Sequence, residues 1–162
     1  MSDDLIISGS DKTERYQSLQ QQLGFLLADA PNPLTHVSQL LAALHHSFNF
    51  LWTGIYQVQG DSLVLSAFQG PVACVSIAHG RGVCGTAWQE ARTLVVPDVD
   101  AFPGHIACSS ASRSEIVLPV FRGNEVIAVL DIDSAELATF DEIDQRFLEE
   151  IVADYLAPHL PL

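Results

Sequence analysis

The chain's three cysteines, Cys74, Cys84 and Cys108, all fall between positions 74 and 108. An odd number of thiols cannot close into a disulfide framework, and a reducing compartment keeps resting thiols free, so the cluster suggests redox chemistry or metal binding before stapling. Each taken singly could be a small buried apolar residue. Cys84 follows Gly80-Arg81-Gly82-Val83 where a glycine-rich turn leads into a helical stretch, a setting that lowers a thiol pKa. Cys108 lies near His105 in a small-residue loop, where a thiol can reach a ligand and move. A mobile thiol with a second thiol in reach can attack an oxidised centre, pass through a sulfenic acid and resolve it as a disulfide.

Carboxylates supply the complementary chemistry. Asp131 and Asp133 stand two apart at the end of an apolar run, so they share one face of a strand, where an unpaired charge is expensive to bury. Crowded acids raise at least one pKa and keep a proton available near neutral pH. Glu115 opens the preceding run, EIVLPVF. If the two runs form a hairpin with a strict two-residue loop at Gly123-Asn124, Arg122 faces Glu125 and Glu115 faces Ile132, on the wrong side to meet the aspartates. An extra residue or bulge brings Glu115 opposite Asp133. Trp52 and Tyr56 share a strand face and serve either as core or as an aromatic wall for an apolar or sulfur-bearing group.

Competing chemistries fit less well. No cysteine pair has the C-x2-4-C spacing of structural zinc sites, so no metal is expected. Gly80 to Gly85 lacks the Gly-Lys-Ser/Thr ending of a phosphate-binding loop, and no organic cofactor is implied. His105, three residues from Cys108 in a loop, lacks a visible third group to make it a peptidase base.

The elements that must position these groups are legible from periodicity. Apolar residues at three- and four-residue spacing predict helices over about 13–28 and 34–48, separated by Pro31-Asn32-Pro33. Strands are expected at 52–58, 62–68 and 71–77, then a short helix from TAWQEA, a strand in TLVVPDV and a long loop over 98–114. Loops of that length are often functional. The hairpin of 115–121 and 125–133 follows. A capping box of Thr139 and Glu142 opens a last helix that stops before Pro158. Short hairpins outnumber strand-helix-strand units, which makes the class α+β with antiparallel strands. Residues 1–10 read as a flexible leader and 11–162 as one domain.

Composition narrows the partners. Seven basic residues against twenty acidic ones give a net charge of −13, which repels phosphate backbones and argues against nucleic acid. No apolar run reaches the roughly 18–20 residues of a membrane span, and the acidic N-terminus is unlike a secretory signal, so a cytoplasmic protein is expected.

The segments WTGIYQV, FQGPVAC, GRGVCGTA, FPGHIAC, SEIVLPV and VLDIDS, in this order, resemble the free methionine-(R)-sulfoxide reductases, a catalytic branch of the GAF-domain fold, over about residues 15–157. The resemblance implies a GAF-like central antiparallel sheet with helices packed on one side and a loop-covered pocket on the other, and a homodimer. It implies thioredoxin-dependent reduction of free L-methionine-(R)-S-oxide. Cys108 would be the nucleophile, Cys74 the usual resolving thiol and Cys84 an auxiliary that can exchange disulfides. Glu115, Asp131 and Asp133 would bind the substrate's amino group and protonate its oxygen, while Trp52 and Tyr56 would enclose its methyl end. One departure is Ser109, where the family usually carries an acid directly after the loop cysteine; its absence would either ease thiolate formation at Cys108 or change how the loop closes. The alternative from another class is a noncatalytic GAF sensor of a small ligand or of redox state, which would normally be fused to an output domain.

Overall fold

The structure, a computed structural model, describes residues 4–162. Helix α1 (Lys12–Leu27) starts where Asp11 accepts a hydrogen bond from the Glu14 amide at 2.8 Å. Helix α2 (Pro33–Phe48) starts at Asn32, whose side chain accepts from Thr35 N, with Pro33 in the first turn where its missing N–H is harmless. Of the leader expected at 1–10, residues 1–3 lie outside the described residues. The remainder runs along α1: Ile6 N donates to Gln22 Oε1, Gln22 Nε2 returns to Ile6 O, and Ser8 N donates to Ser18 Oγ.

Strands β1 (Trp52–Gln59), β2 (Ser62–Gln69), β3 (Ser76–Ala78), β4 (Leu94–Val96), β5 (Ser114–Arg122) and β6 (Glu125–Ser134) form one antiparallel sheet in the order β3-β2-β1-β6-β5-β4. The strand expected at 71–77 shrinks to β3, and the residues before it, carrying Cys74, are irregular. Alternation along β5 and β6 divides the molecule. Ile116, Leu118, Val120, Ala128, Leu130 and Ile132 face α1, α2 and the last helix, α4 (Glu142–Ile151), in one apolar layer. Val117 and Val129 face the other way with Trp52, Tyr56 and Cys84. Helix α3 (Gly82–Glu90) lies on this second side, so the helices divide three to one across the sheet. It begins earlier than the TAWQEA segment and takes Cys84 into its first turn. Its close approach to β3 depends on Gly85, where a Cβ would stand 2.5 Å from the Ala78 carbonyl oxygen.

The capping box of α4 is formed by Asp141 and Asp144, not by Thr139 and Glu142. Thr139 is occupied in the preceding turn, donating to Ser134 Oγ at 2.6 Å. Asp144 is also the fastening point between α1 and α4: its buried carboxylate accepts from Tyr16 Oη and from Lys12 Nζ, both at 2.6 Å. Asp144→Ala removes its half of the capping box, the bond accepted from Asp141 N, and leaves a buried phenol unpaired. It is expected to destabilise the fold by about 3 kcal/mol, read as a lower urea midpoint, without changing the residues around the cysteines.

Candidate active site

The site is built on the face of β5 and β6 turned away from the three packed helices. Arg122 pairs with Glu125 and Phe121 with Val126, but Val120 pairs with Ala128, so Ile127 is an extra residue in β6. This bulge makes neighbours Ile127 and Ala128 both face the helices, and it resets the rest of the ladder by one. Glu115 therefore stands opposite Asp133, and Asp133 in turn opposite Trp52 on β1. The condition that the sequence imposed on a shared acid site is met. Glu115 and Asp131 are 5% and 6% exposed, and together with Asp133 they form the floor of a cavity with about 50 Å³ of free space.

Burial decides how these acids hold protons. Glu115 and Asp133 are pushed well above the usual carboxylate range, first by desolvation and then by the nearby Asp131 charge. Ser112 Oγ opposes this at Asp133, donating to Oδ1 at 2.9 Å. Asp131 is also raised by burial, but hydrogen bonds from the Glu115 carboxyl and the Cys84 thiol, with the positive field of His105, pull it back. Asp131, as the acceptor of both hydrogen bonds, is the member suited to carry the negative charge, with Glu115 and Asp133 as proton holders. Its Oδ1 is buried and has no hydrogen-bond partner among the described residues. An anionic oxygen left open in a pocket is suited to a cationic donor.

Cys84 departs from expectation. The start of α3 was expected to lower its pKa, yet burial raises it well above the ordinary thiol value, and the field of Asp131, Glu115 and Asp133 adds to the rise. A helix terminus contributes a partial charge, whereas here a thiolate would face up to three carboxylates without water. Cys84 is a neutral donor to Asp131. Donor atoms of Cys84, Glu115 and Asp131 lie within 4.8 Å of one another, a spacing open to a divalent cation. Burial keeps Cys84 and Glu115 protonated there, which favours proton sharing with Asp131.

The other two cysteines meet at the cavity mouth. Cys74 and Cys108 form a disulfide with Cα atoms 5.3 Å apart. It ties the irregular segment before β3 to the loop between β4 and β5. Trp52 and Tyr56 do more than line a wall. Trp52 Nε1 donates to Pro71 O at 3.0 Å and Tyr56 Oη to Cys74 O at 2.9 Å, so both hold the segment that presents Cys74. These contacts, and the Ser112 bridge from the loop to Asp133, were missed by sequence reasoning, since an aromatic spacing carries no record of which distant carbonyl it meets. His105, Ser109 and Arg81 also line the cavity.

Gly54, between the two aromatics on β1, makes room for the Trp52 ring. A Cβ there would collide with the indole and stand 2.5 Å from Phe68 Cβ. Gly54→Ala is expected to displace Trp52 from its stack on Phe68 (ring centroids 5.3 Å apart), at a stability cost of about 1–3 kcal/mol, and to weaken ligand binding in the cavity. Calorimetric titration of the reduced protein and thermal denaturation check both parts.

Residues 33–156 match the GAF domain family. The chain is 52% identical over 153 residues to GAF domain-containing protein A of Dictyostelium discoideum, covering 94% of this chain and 97% of that protein. It is 42% identical over 144 residues to the free methionine-R-sulfoxide reductase of Escherichia coli, covering 88% and 87% respectively. Among solved structures, a free methionine-R-sulfoxide reductase from Neisseria meningitidis in complex with its substrate superposes with a TM-score of 0.92 at 46% identity, covering 98% of this chain and 95% of that one.

Proposed function

We infer, from a chain that belongs to the GAF-domain family and within it to the free methionine-R-sulfoxide reductases, that this protein is an oxidoreductase converting free methionine-(R)-sulfoxide to methionine. The observation that carries the reading is the Cys74–Cys108 disulfide at the mouth of a cavity floored by Glu115, Asp131 and Asp133. In the reduced enzyme the Cys108 thiolate attacks the sulfoxide sulfur while Glu115 gives its proton to the sulfoxide oxygen. The oxygen passes to Cys108 as a sulfenic acid and methionine leaves. The Cys74 thiolate then attacks that sulfur, water departs, and the disulfide closes. Two thiols and one sulfoxide thus become one disulfide, one sulfide and one water.

The substrate's ammonium group is assigned to Asp131, whose open Oδ1 is a buried anionic acceptor. A peptide-bound methionine sulfoxide has a neutral amide there, so this contact favours the free amino acid. Asp133, held by Ser112, supports the second side of the floor. Trp52 and Tyr56 enclose the methyl end, with sulfur-aromatic attraction in support. Cys84 keeps its proton and orients Asp131. The small cavity belongs to the disulfide form, and reduction frees the loop carrying Cys108 to make room for substrate.

Thioredoxin is assigned as the reductant, in a reducing cytoplasm, with the chain acting as a homodimer in defence against oxidised methionine. No described helix is long and apolar enough to cross a membrane. The test is NADPH consumption with free methionine sulfoxide, thioredoxin and thioredoxin reductase, comparing the two sulfur epimers. Turnover of the R epimer alone is expected; none with either epimer would overturn the reading.

A further inference from the structure

The surface around the disulfide carries exposed apolar side chains and is built from segments without acidic residues. Among the large apolar side chains that stand exposed on the described residues, Val72 (88% exposed), Val75 (72%) and Ile106 (39%) all lie within two residues of Cys74 or Cys108. Exposed apolar groups gathered around a reactive bond mark an interaction site more than they serve the fold. The charge pattern points to the same face. Twenty acids are spread over the chain, yet residues 62–89 and 101–114, the segments that carry these side chains, contain none. Their basic groups are His79, Arg81, His105 and Arg113, and Arg81 is exposed at the cavity rim.

We propose that Val72, Val75 and Ile106 form the docking face for the dithiol protein that reduces the Cys74–Cys108 disulfide, a partner with an apolar rim around its thiols and a net negative charge. The proposal rests on the reading of this disulfide as the oxidised product of turnover. Such a partner is repelled by a chain of net charge −13 over most approaches and least where the acid-free segments lie, which orients the encounter. Apolar contact then excludes water and aligns the sulfurs. The partner's thiolate attacks one sulfur, the S–S bond breaks and the leaving thiolate takes a proton. The partner's second thiolate attacks the mixed disulfide and releases the other cysteine. Two electrons pass to this chain, and the partner departs as a disulfide.

The test uses the oxidised protein without methionine sulfoxide, mixed with a pre-reduced thioredoxin of net negative charge or with dithiothreitol, following thiol release at Cys74 and Cys108. Val75→Glu puts a charge on an exposed side chain outside the cavity, so the fold is retained and the small-molecule reaction serves as the control for the charge itself. The expected result is a fall of about tenfold or more in the rate constant with thioredoxin and a much smaller fall with dithiothreitol, whose thiolate meets only the local charge of the new carboxylate. Val75→Ser, which removes apolar area without adding charge, is expected to show a smaller fall of the same kind. An unchanged thioredoxin rate in Val75→Glu, or an equal fall with both reductants, would overturn the proposal. Failure of the reductase reading is seen separately, as absence of methionine formation by the unaltered chain with dithiothreitol.

Discussion

Cys108→Ser is expected to lower methionine formation by at least about a thousandfold with either thioredoxin or dithiothreitol as reductant. A hydroxyl is far less acidic than a thiol and has no accessible path to the oxygen-bearing sulfenic state, so both the attack and the redox exchange are lost. Cys74→Ser separates the two half-reactions. Its first turnover is expected to proceed at near the normal rate and to release one methionine per chain, leaving Cys108 as a sulfenic acid that a dimedone label detects by mass spectrometry. Thioredoxin-driven cycling then stops, while dithiothreitol, which can attack the sulfenic sulfur itself, restores part of it. Cys84→Ser keeps a hydrogen-bond donor beside Asp131 and is expected to cycle with both reductants. After one equivalent of substrate the unaltered chain should show the Cys74–Cys108 crosslink. A Cys84–Cys108 crosslink alone would reassign the resolving thiol, and full activity in Cys108→Ser would sink the mechanism.

The difference between Cys84 and Cys108 shows what a sequence can and cannot display. Both lie in glycine- or small-residue-rich segments, and pattern alone predicts mobility for Cys108 and a lowered pKa for Cys84. Its true environment is set by strands some thirty and forty-seven positions away, which bring Glu115 and Asp131 against it. The helices α1 and α2 were legible to within a residue or so because a 3.6-residue apolar period and a proline break are local signals. The β5-β6 hairpin was equally plain, and its register could be stated as a condition. The bulge at Ile127 that satisfies the condition had no local mark, since both EVIAV and its partner run are apolar on either register. Residues 71–75 read as a strand because PVACV is apolar and branched. Up to Cys74 they are held instead by Trp52 and Tyr56 through the Pro71 and Cys74 carbonyls, and bonding to the sheet resumes where Val75 O accepts from Leu65 N of β2. Asp141 displaced Thr139 as the cap for a similar reason: Asp144 was needed by Tyr16 and Lys12, and it closes the box from inside the helix.

Glu115→Gln is expected to lower kcat by about 10²–10⁴-fold and at the same time to stabilise the folded protein as the pH rises. The two effects have one origin. Folded Glu115 holds its proton well above the usual carboxylate range because of burial and the neighbouring Asp131 and Asp133. Below the ordinary carboxyl pKa both folded and unfolded states carry that proton, and the group contributes its full stability. As the pH climbs past that value the unfolded chain ionises while the folded one does not, so stability is lost progressively until the pH passes the raised, folded pKa. Glutamine does not ionise in either state, so the variant lacks this loss and its melting temperature should fall less steeply with pH than that of the parent. Its amide can still donate to Asp131, which keeps the ammonium contact and leaves KM little changed. What it cannot do is deliver a proton to the sulfoxide oxygen, and the alkaline limb of the kcat profile that reports Glu115 should disappear. Asp131→Asn provides the contrast: the proton donor remains but the anionic Oδ1 that meets the ammonium group is gone, so KM rises more than kcat falls. Melting temperatures and initial rates across pH 5–9 for the three proteins, chosen as roughly the span in which a raised carboxyl titrates, decide the matter. A Glu115→Gln protein that is less stable than the parent at every pH, or that retains full kcat, would remove Glu115 from the role of buried acid.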